Sequence, residues 1–180
     1  MQPRTQEVLS HLDANRDALQ HAVDAVPQAL RARRPAPDSW SVAEVLEHLA
    51  LVEGRVTGML ADKLTEARAA GLGPEQDSAP VVPTVDVAGL VDRTQIRTAS
   101  EASTPTGAVG ADAAWETLSR VRRGLHELVA GADGLALGSV MLPHARLGEL
   151  NVYQWLVFIG AHEARHVVQV REAAEKIAAG

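Results

Sequence analysis

Five consecutive residues, His162-Glu163-Ala164-Arg165-His166, carry the densest chemistry in this chain of 180 residues. Histidines four apart lie one above the other on a helix, so both imidazoles can offer a nitrogen to the same metal ion. The same letters also spell the H-E-x-x-H of zinc peptidases, in which the glutamate between the two ligands acts as general base. Two histidines do not close a coordination sphere, so the rest of the chain has to decide between these readings.

A peptidase of that type needs a third ligand after the second histidine: a glutamate from a further helix, or a histidine closing H-x-x-G-x-x-H. Here Gln169 stands where the glycine would be and Glu172 where the histidine would be. The residues after His166 continue one helical pattern, so Glu172 and Glu175 are not expected to turn back onto a metal. No convincing strand is visible upstream along which such an enzyme would align its substrate. The peptidase is therefore the remote alternative, and Glu163 is read as a neighbour of the ligands.

Four segments have the apolar periodicity of helices that bury one face. The first runs from Thr5 to about Leu30, with Pro27 expected to kink it or end it early. The second starts at Ser41, where Ser41 and Glu44 form a capping box, and runs to about Ala70, stopping at Gly71. The third spans Asp112 to Val129, with Trp115, Leu118, Val121, Leu125 and Leu128 as its stripe. The fourth opens at Asn151, with Gln154 completing another box, and continues to about Ile177. A long Pro-, Gly-, Ser- and Thr-rich stretch, Gly71 to Ala111, joins the second and third helices. A shorter loop, Ala132 to Leu150, joins the third and fourth. The expected fold is all-α: one domain over residues 1–180, a four-helix bundle with a long crossover between helices two and three.

On the fourth helix the stripe is Val152, Trp155, Leu156, Ile159, Val170, Ala173 and Ile177, and His162 and His166 fall inside it. Two inward imidazoles one turn apart are hard to satisfy with ordinary hydrogen bonds, whereas a metal takes one nitrogen from each. His48, at the edge of the stripe formed by Val45, Leu49, Val52 and Val56, is the best third ligand. His11, His21 and His126 are read as surface or helix-edge residues, and His144 as a loop residue able to approach the site. Trp40, Trp155, Phe158 and Gln169 are candidates to line the pocket, with Trp155 and Phe158 also suited to the core.

Composition narrows the partners. A formal charge of −6 and an isoelectric point near 5.6 argue against nucleic acid. The clusters Arg31, Arg33, Arg34 and Arg120, Arg122, Arg123 are read as a solvated helix end and a solvated face. The first residues show no apolar core of a secretory signal, and the apolar run Trp155 to Ala161 is too short to span a bilayer, so a cytoplasmic protein is expected. With no cysteine, disulfides and thiolate ligands are excluded, and any thiol chemistry would use a thiol from outside.

The segments "PAPDSWSVAEVLEHLALVE", Pro35 to Glu53, and "LGELNVYQWLVFIGAHEARHVVQVRE", Leu147 to Glu172, resemble the DinB/YfiT-like metal-binding four-helix proteins. Both share that family's look: W-S entering helix two, a single histidine after it, then a late H-x-x-x-H followed by glutamine. The resemblance implies a metal triad of His48, His162 and His166. It implies a divalent transition metal, with zinc or nickel foremost and iron or manganese also suited to the ligands. It also implies an external low-molecular-weight thiol such as mycothiol, bacillithiol or glutathione, a small-molecule substrate, and a homodimer. The function expected is metal-dependent activation of a thiol or water for S-transfer, isomerisation or hydrolysis. The alternative is a non-catalytic, stress-related metal-binding dimeric bundle.

Overall fold

The chain is mostly helical. Helix α1 spans Pro3–Asp24, α2 Val42–Ala69, α3 Val87–Val91, α4 Ala111–Ala130 and α5 Val152–Ala179. An antiparallel hairpin, β1 Met141–His144 paired with β2 Gly148–Asn151, leads into α5. The computed structural model describes residues 1–95 and 98–179. No helix among them is long and apolar enough to cross a membrane.

Both capping boxes form. Ser41 Oγ accepts the Glu44 N–H at 3.2 Å, and Glu44 Oε2 accepts the Ser41 N–H at 2.8 Å. At the start of α5, Asn151 Oδ1 accepts from Gln154 N–H at 2.9 Å while Gln154 Oε1 accepts from Asn151 N–H at 3.1 Å. Each cap satisfies backbone donors that would otherwise be orphaned, an effect of about 1 kcal/mol. Helix α1 is shorter than its apolar periodicity predicts. It ends at Asp24, because the residue before Pro27 is disfavoured in the helical region. Val26 stays buried and Leu30 packs beside it from a 3-10 turn, Gln28–Leu30, so the pattern continues where the α-helix does not.

Helices α1 and α5 pack as one pair and α2 and α4 as another, with α2 also lying against α5. The core is largely leucine, valine and alanine: Leu12, Leu19, Leu46, Leu60, Leu64, Leu118, Leu125 and Leu156 are fully buried. Each contributes about 1.5–3 kcal/mol through apolar burial. Gly160 lets α1 come close to α5, since a Cβ there would sit 2.4 Å from the His11 ring.

The core falls into two clusters, and a charged layer lies between them. One cluster gathers Val56, Leu60, Leu125 and Val152 to Ile159; the other gathers Val42 to Ala50, Leu118, Val167 and Val170. At the boundary each long helix contributes one charged side chain: Arg16 from α1, Glu53 from α2, Arg122 from α4 and Glu163 from α5. Arg16 donates to Glu163 Oε1 at 2.6 Å and to Glu53 Oε2 at 3.2 Å. Arg122 donates to Glu53 at 2.7 and 3.0 Å, to Glu163 Oε2 at 2.9 Å and to the Leu12 carbonyl at 2.9 Å. The ring is closed and charge-balanced, as buried charges require. Burial pulls the Arg122 pKa down, but the Glu53 hydrogen bond and the charges of Glu163 and Glu53 outweigh it and raise the net value. Arg122 is therefore no part of a solvated basic face, as its sequence neighbours suggested; it is buried by a position on α4 that faces two glutamates.

The two connections hold more structure than their composition predicts. The crossover forms 3-10 turns at Val82–Thr84 and Glu101–Ser103 as well as α3, which packs on α5. It is tied down by buried polar groups. Glu47 accepts from the Thr106 N–H at 3.0 Å, the Thr106 hydroxyl at 2.7 Å and the Gly107 N–H at 3.2 Å. Arg165 donates to the carbonyls of Asp92 and Gln95. The segment expected as a loop before α5 instead contains the hairpin, whose β1 includes Pro143 and whose β2 starts at Gly148 with φ +75°. Strands this short, one interrupted by proline, give little periodic signal.

Candidate metal centre

His48 is carried by α2 and His162 and His166 by α5, and the packing of these helices brings the three imidazoles together. One nitrogen from each lies within 4.8 Å of the others. His162 Nε2 is 3.3 Å from His48 Nε2 and 3.2 Å from His166 Nε2. His48 and His166 are buried and His162 half-buried.

The hydrogen bonds behind the rings decide which nitrogens carry protons. His48 Nδ1 lies 2.6 Å from the Ser103 carbonyl, which can only accept, so this nitrogen holds the hydrogen. His166 Nδ1 lies 2.8 Å from Gln169 Oε1. Arg93 Nη1, which can only donate, also points at Gln169 Oε1, at 3.3 Å, and so fixes that atom as the oxygen. His166 Nδ1 is therefore a donor too. Both rings then turn an unprotonated Nε2 towards His162 Nε2. A proton on His162 can bridge one of the two gaps and leaves lone pair facing lone pair across the other.

A cation resolves this arrangement, and the donor set suits a divalent transition metal. Nitrogens bound at about 2.0–2.1 Å in a tetrahedron are about 3.3 Å apart, in line with the two short distances here. Burial, first, and the bond to Ser103 acting weakly against it leave the His48 pKa lowered. Burial and then the neighbouring His162 and His48 hold His166 well below the ordinary value. Both are thus neutral near neutral pH, the state a metal needs.

The triad opens onto a cleft of about 660 Å³ bounded by α2, α5, the crossover and the hairpin turn. Trp40 lines it, its ring centroid 4.9 Å from His48 and 6.4 Å from His166. Gln169 lines it as the partner of His166, and Arg93 in turn pairs with Glu172 at 3.1 Å. Phe158 forms the wall beside His162, the rings stacked at 5.8 Å. Trp155 stands behind this wall: it is buried, donates Nε1–H to the Leu142 carbonyl at 3.3 Å, and meets Phe158 and His144 edge-on or tilted. His144, placed by the hairpin, is part of the cleft lining, with its ring 4.6 Å from Phe158.

Glu163 lies elsewhere. His162, the residue before it, lines the cleft, but one step further along the helix turns the Glu163 carboxylate about 100° into the charged ring. There it is 1% exposed and bonded to Arg16 and Arg122. The position of a peptidase's general base is not filled by this carboxylate. His11 bonds the Val157 carbonyl at 3.2 Å and His126 faces Asp13 at 3.1 Å, both on other sides of the bundle. Sequence reasoning missed Ser103 and Arg93, which fix the protonation of His48 and His166; a carbonyl and a crossover arginine have no spacing pattern to give them away.

A curated relative, "Uncharacterized protein YuaE" of Bacillus subtilis (strain 168), is 32% identical over 146 residues, which cover 81% of this chain and 83% of that protein. No solved structure gives a significant match. The sequence model of the DinB superfamily matches residues 11–170, a span that takes in all three histidines, and the chain belongs to the DinB superfamily.

Proposed function

We propose that the protein is a metal-dependent enzyme in which His48, His162 and His166 hold a divalent ion, zinc in the first instance, beside a small-molecule substrate. The observation that supports this most is the placing of three convergent Nε2 atoms at the wall of an open cleft, not in a sealed core. Three protein ligands leave a coordination position for a non-protein group, the arrangement of catalytic sites. When bound, such an ion lowers the pKa of a coordinated thiol or water and so supplies a nucleophile near neutral pH. The chain has no cysteine, so a thiol would come from outside as a small molecule. The reaction would then be S-transfer, isomerisation or, with water, hydrolysis.

The protein's own residues supply the positioning. Ser103 and Gln169 hold two imidazoles with Nε2 forward. Trp40 and Phe158 wall the site with apolar rings that limit water around the ligands. The test uses untagged protein, elemental analysis, and a panel of low-molecular-weight thiols with electrophilic acceptors, alongside His48→Ala. Metal-dependent turnover that His48→Ala abolishes supports the enzyme. Metal binding without turnover across the panel favours the non-catalytic bundle. Protein that holds no transition metal and gains no thermal stability from added zinc or nickel refutes the triad.

A further inference from the structure

The chain is acidic overall, with a formal charge of −6, yet among the described residues the charged side chains lining one end of the cleft are arginines. The two acidic side chains lining the cleft, Asp38 and Glu172, belong to its other end: Asp38 precedes Trp40, and Glu172 lies beyond His166 on α5. Helices α2 and α5 run antiparallel, since the start of α2 shares a core cluster with Val167 and Val170, and its later half shares one with Val152 to Ile159. Arg55, seven residues past His48, therefore stands level with Phe158 and the hairpin, about 10 Å along the helix axis from His48. Arg146, in the hairpin turn, lines the same end.

These two arginines differ from the other cleft arginines. Arg93 is engaged by Glu172 and Gln169, and Arg165 by backbone carbonyls of the crossover. Among the described residues, neither Arg55 nor Arg146 forms an ion pair with a carboxylate. The turn that carries Arg146 is also fixed: His144 Nδ1 accepts the backbone N–H groups of Arg146 and Leu147, each at 3.1 Å. A side chain is thus committed to holding a guanidinium-bearing turn at the cleft mouth.

We propose that the hairpin end of the cleft is an anion subsite, in which Arg55 and Arg146 bind a carboxylate or phosphate group of the substrate while its reacting end lies at the triad. The inference rests on the cleft being the substrate site. Guanidinium groups suit both anions, because their planar forks match two oxygens at once.

The test measures binding of inorganic phosphate, succinate and neutral succinamide to the full-length protein, stripped of metal and then zinc-loaded, by calorimetry at low constant salt. Wild type is expected to bind phosphate, succinate or both without metal; comparison of these two arms tells which anion the subsite takes. Arg55→Gln combined with Arg146→Gln should weaken that binding at least about tenfold, the loss of a charge-assisted hydrogen bond or more. Arg171→Gln, an exposed arginine of α5 outside the cleft, should leave it unchanged. His48→Ala should lose zinc but keep the anion, so failure of the metal centre and failure of the subsite are read separately. No anion binding by wild type, equal binding by the double variant, or succinamide bound as tightly as the anion that wild type takes would overturn the proposal.

Discussion

Replacing Glu163 by glutamine distinguishes a structural carboxylate from a catalytic one. Glu163 is 1% exposed and accepts from Arg16 at 2.6 Å and Arg122 at 2.9 Å. Glutamine keeps the volume and one acceptor but turns an NH2 group towards one guanidinium and leaves the buried ring with a net positive charge. Removing one partner of a buried ion pair costs about 3–5 kcal/mol. In a chain of this size each 1 kcal/mol moves the melting temperature by about 2–4 °C, so the expected fall is roughly 6–20 °C. The assay is thermal unfolding of metal-free protein followed by circular dichroism, repeated with zinc. The zinc-induced rise should keep its wild-type size, because the carboxylate does not face the triad. The deficit should also couple to Arg122: Glu163→Gln with Arg122→Met should lose less stability than the two single losses added together. A Glu163→Gln protein with a wild-type melting temperature but no zinc response would refute the reasoning and return the carboxylate to the metal.

Gln169→Ala should weaken zinc binding by about 10–100-fold without abolishing it, because it removes the acceptor that holds the His166 ring with Nε2 forward. Competition with a chromophoric chelator measures this, and unchanged affinity would deny Gln169 that role. Glu44 should contribute to acid sensitivity. Burial raises its pKa, but the hydrogen bonds from Arg34 and Ser41 outweigh this and hold the net value below the ordinary 4.5. A depressed folded pKa gives stability that is complete above the unfolded value and lost as pH falls through the folded one. Urea unfolding across the acid range should therefore show Glu44→Gln losing less stability than wild type on acidification; parallel losses would contradict the assignment.

The bundle and the triad could be read from the sequence because both depend on periodicity. The capping boxes at Ser41 and Asn151 marked two helix starts, and the stripe of α5 carried His162 and His166 inward. His48 followed from the same counting on α2. What periodicity does not encode is partnership between distant elements. Arg122 sits among Arg120 and Arg123 and looks like one of a solvated trio until Glu53 and Glu163 arrive from two other helices. Glu163, one residue from His162, looks like part of the site because sequence distance hides a turn of about 100°. The Ser103 carbonyl and the turn held by His144 are backbone features, and residue types alone do not announce them.

The charged ring also sets the alignment of the helices. A core of leucine, valine and alanine is interchangeable enough that sliding one helix by a turn would still cover apolar surface. Such a slip, about 5.4 Å, would pull one member out of the ring and strand the opposite charges in the core. His48 and His162 meet across the same α2–α5 contact at 3.3 Å, a distance that no slip of that size could preserve. Glu163 does not face the triad, yet the four-residue ring it completes favours the register of α5 at which the histidines on either side of it stand level with His48.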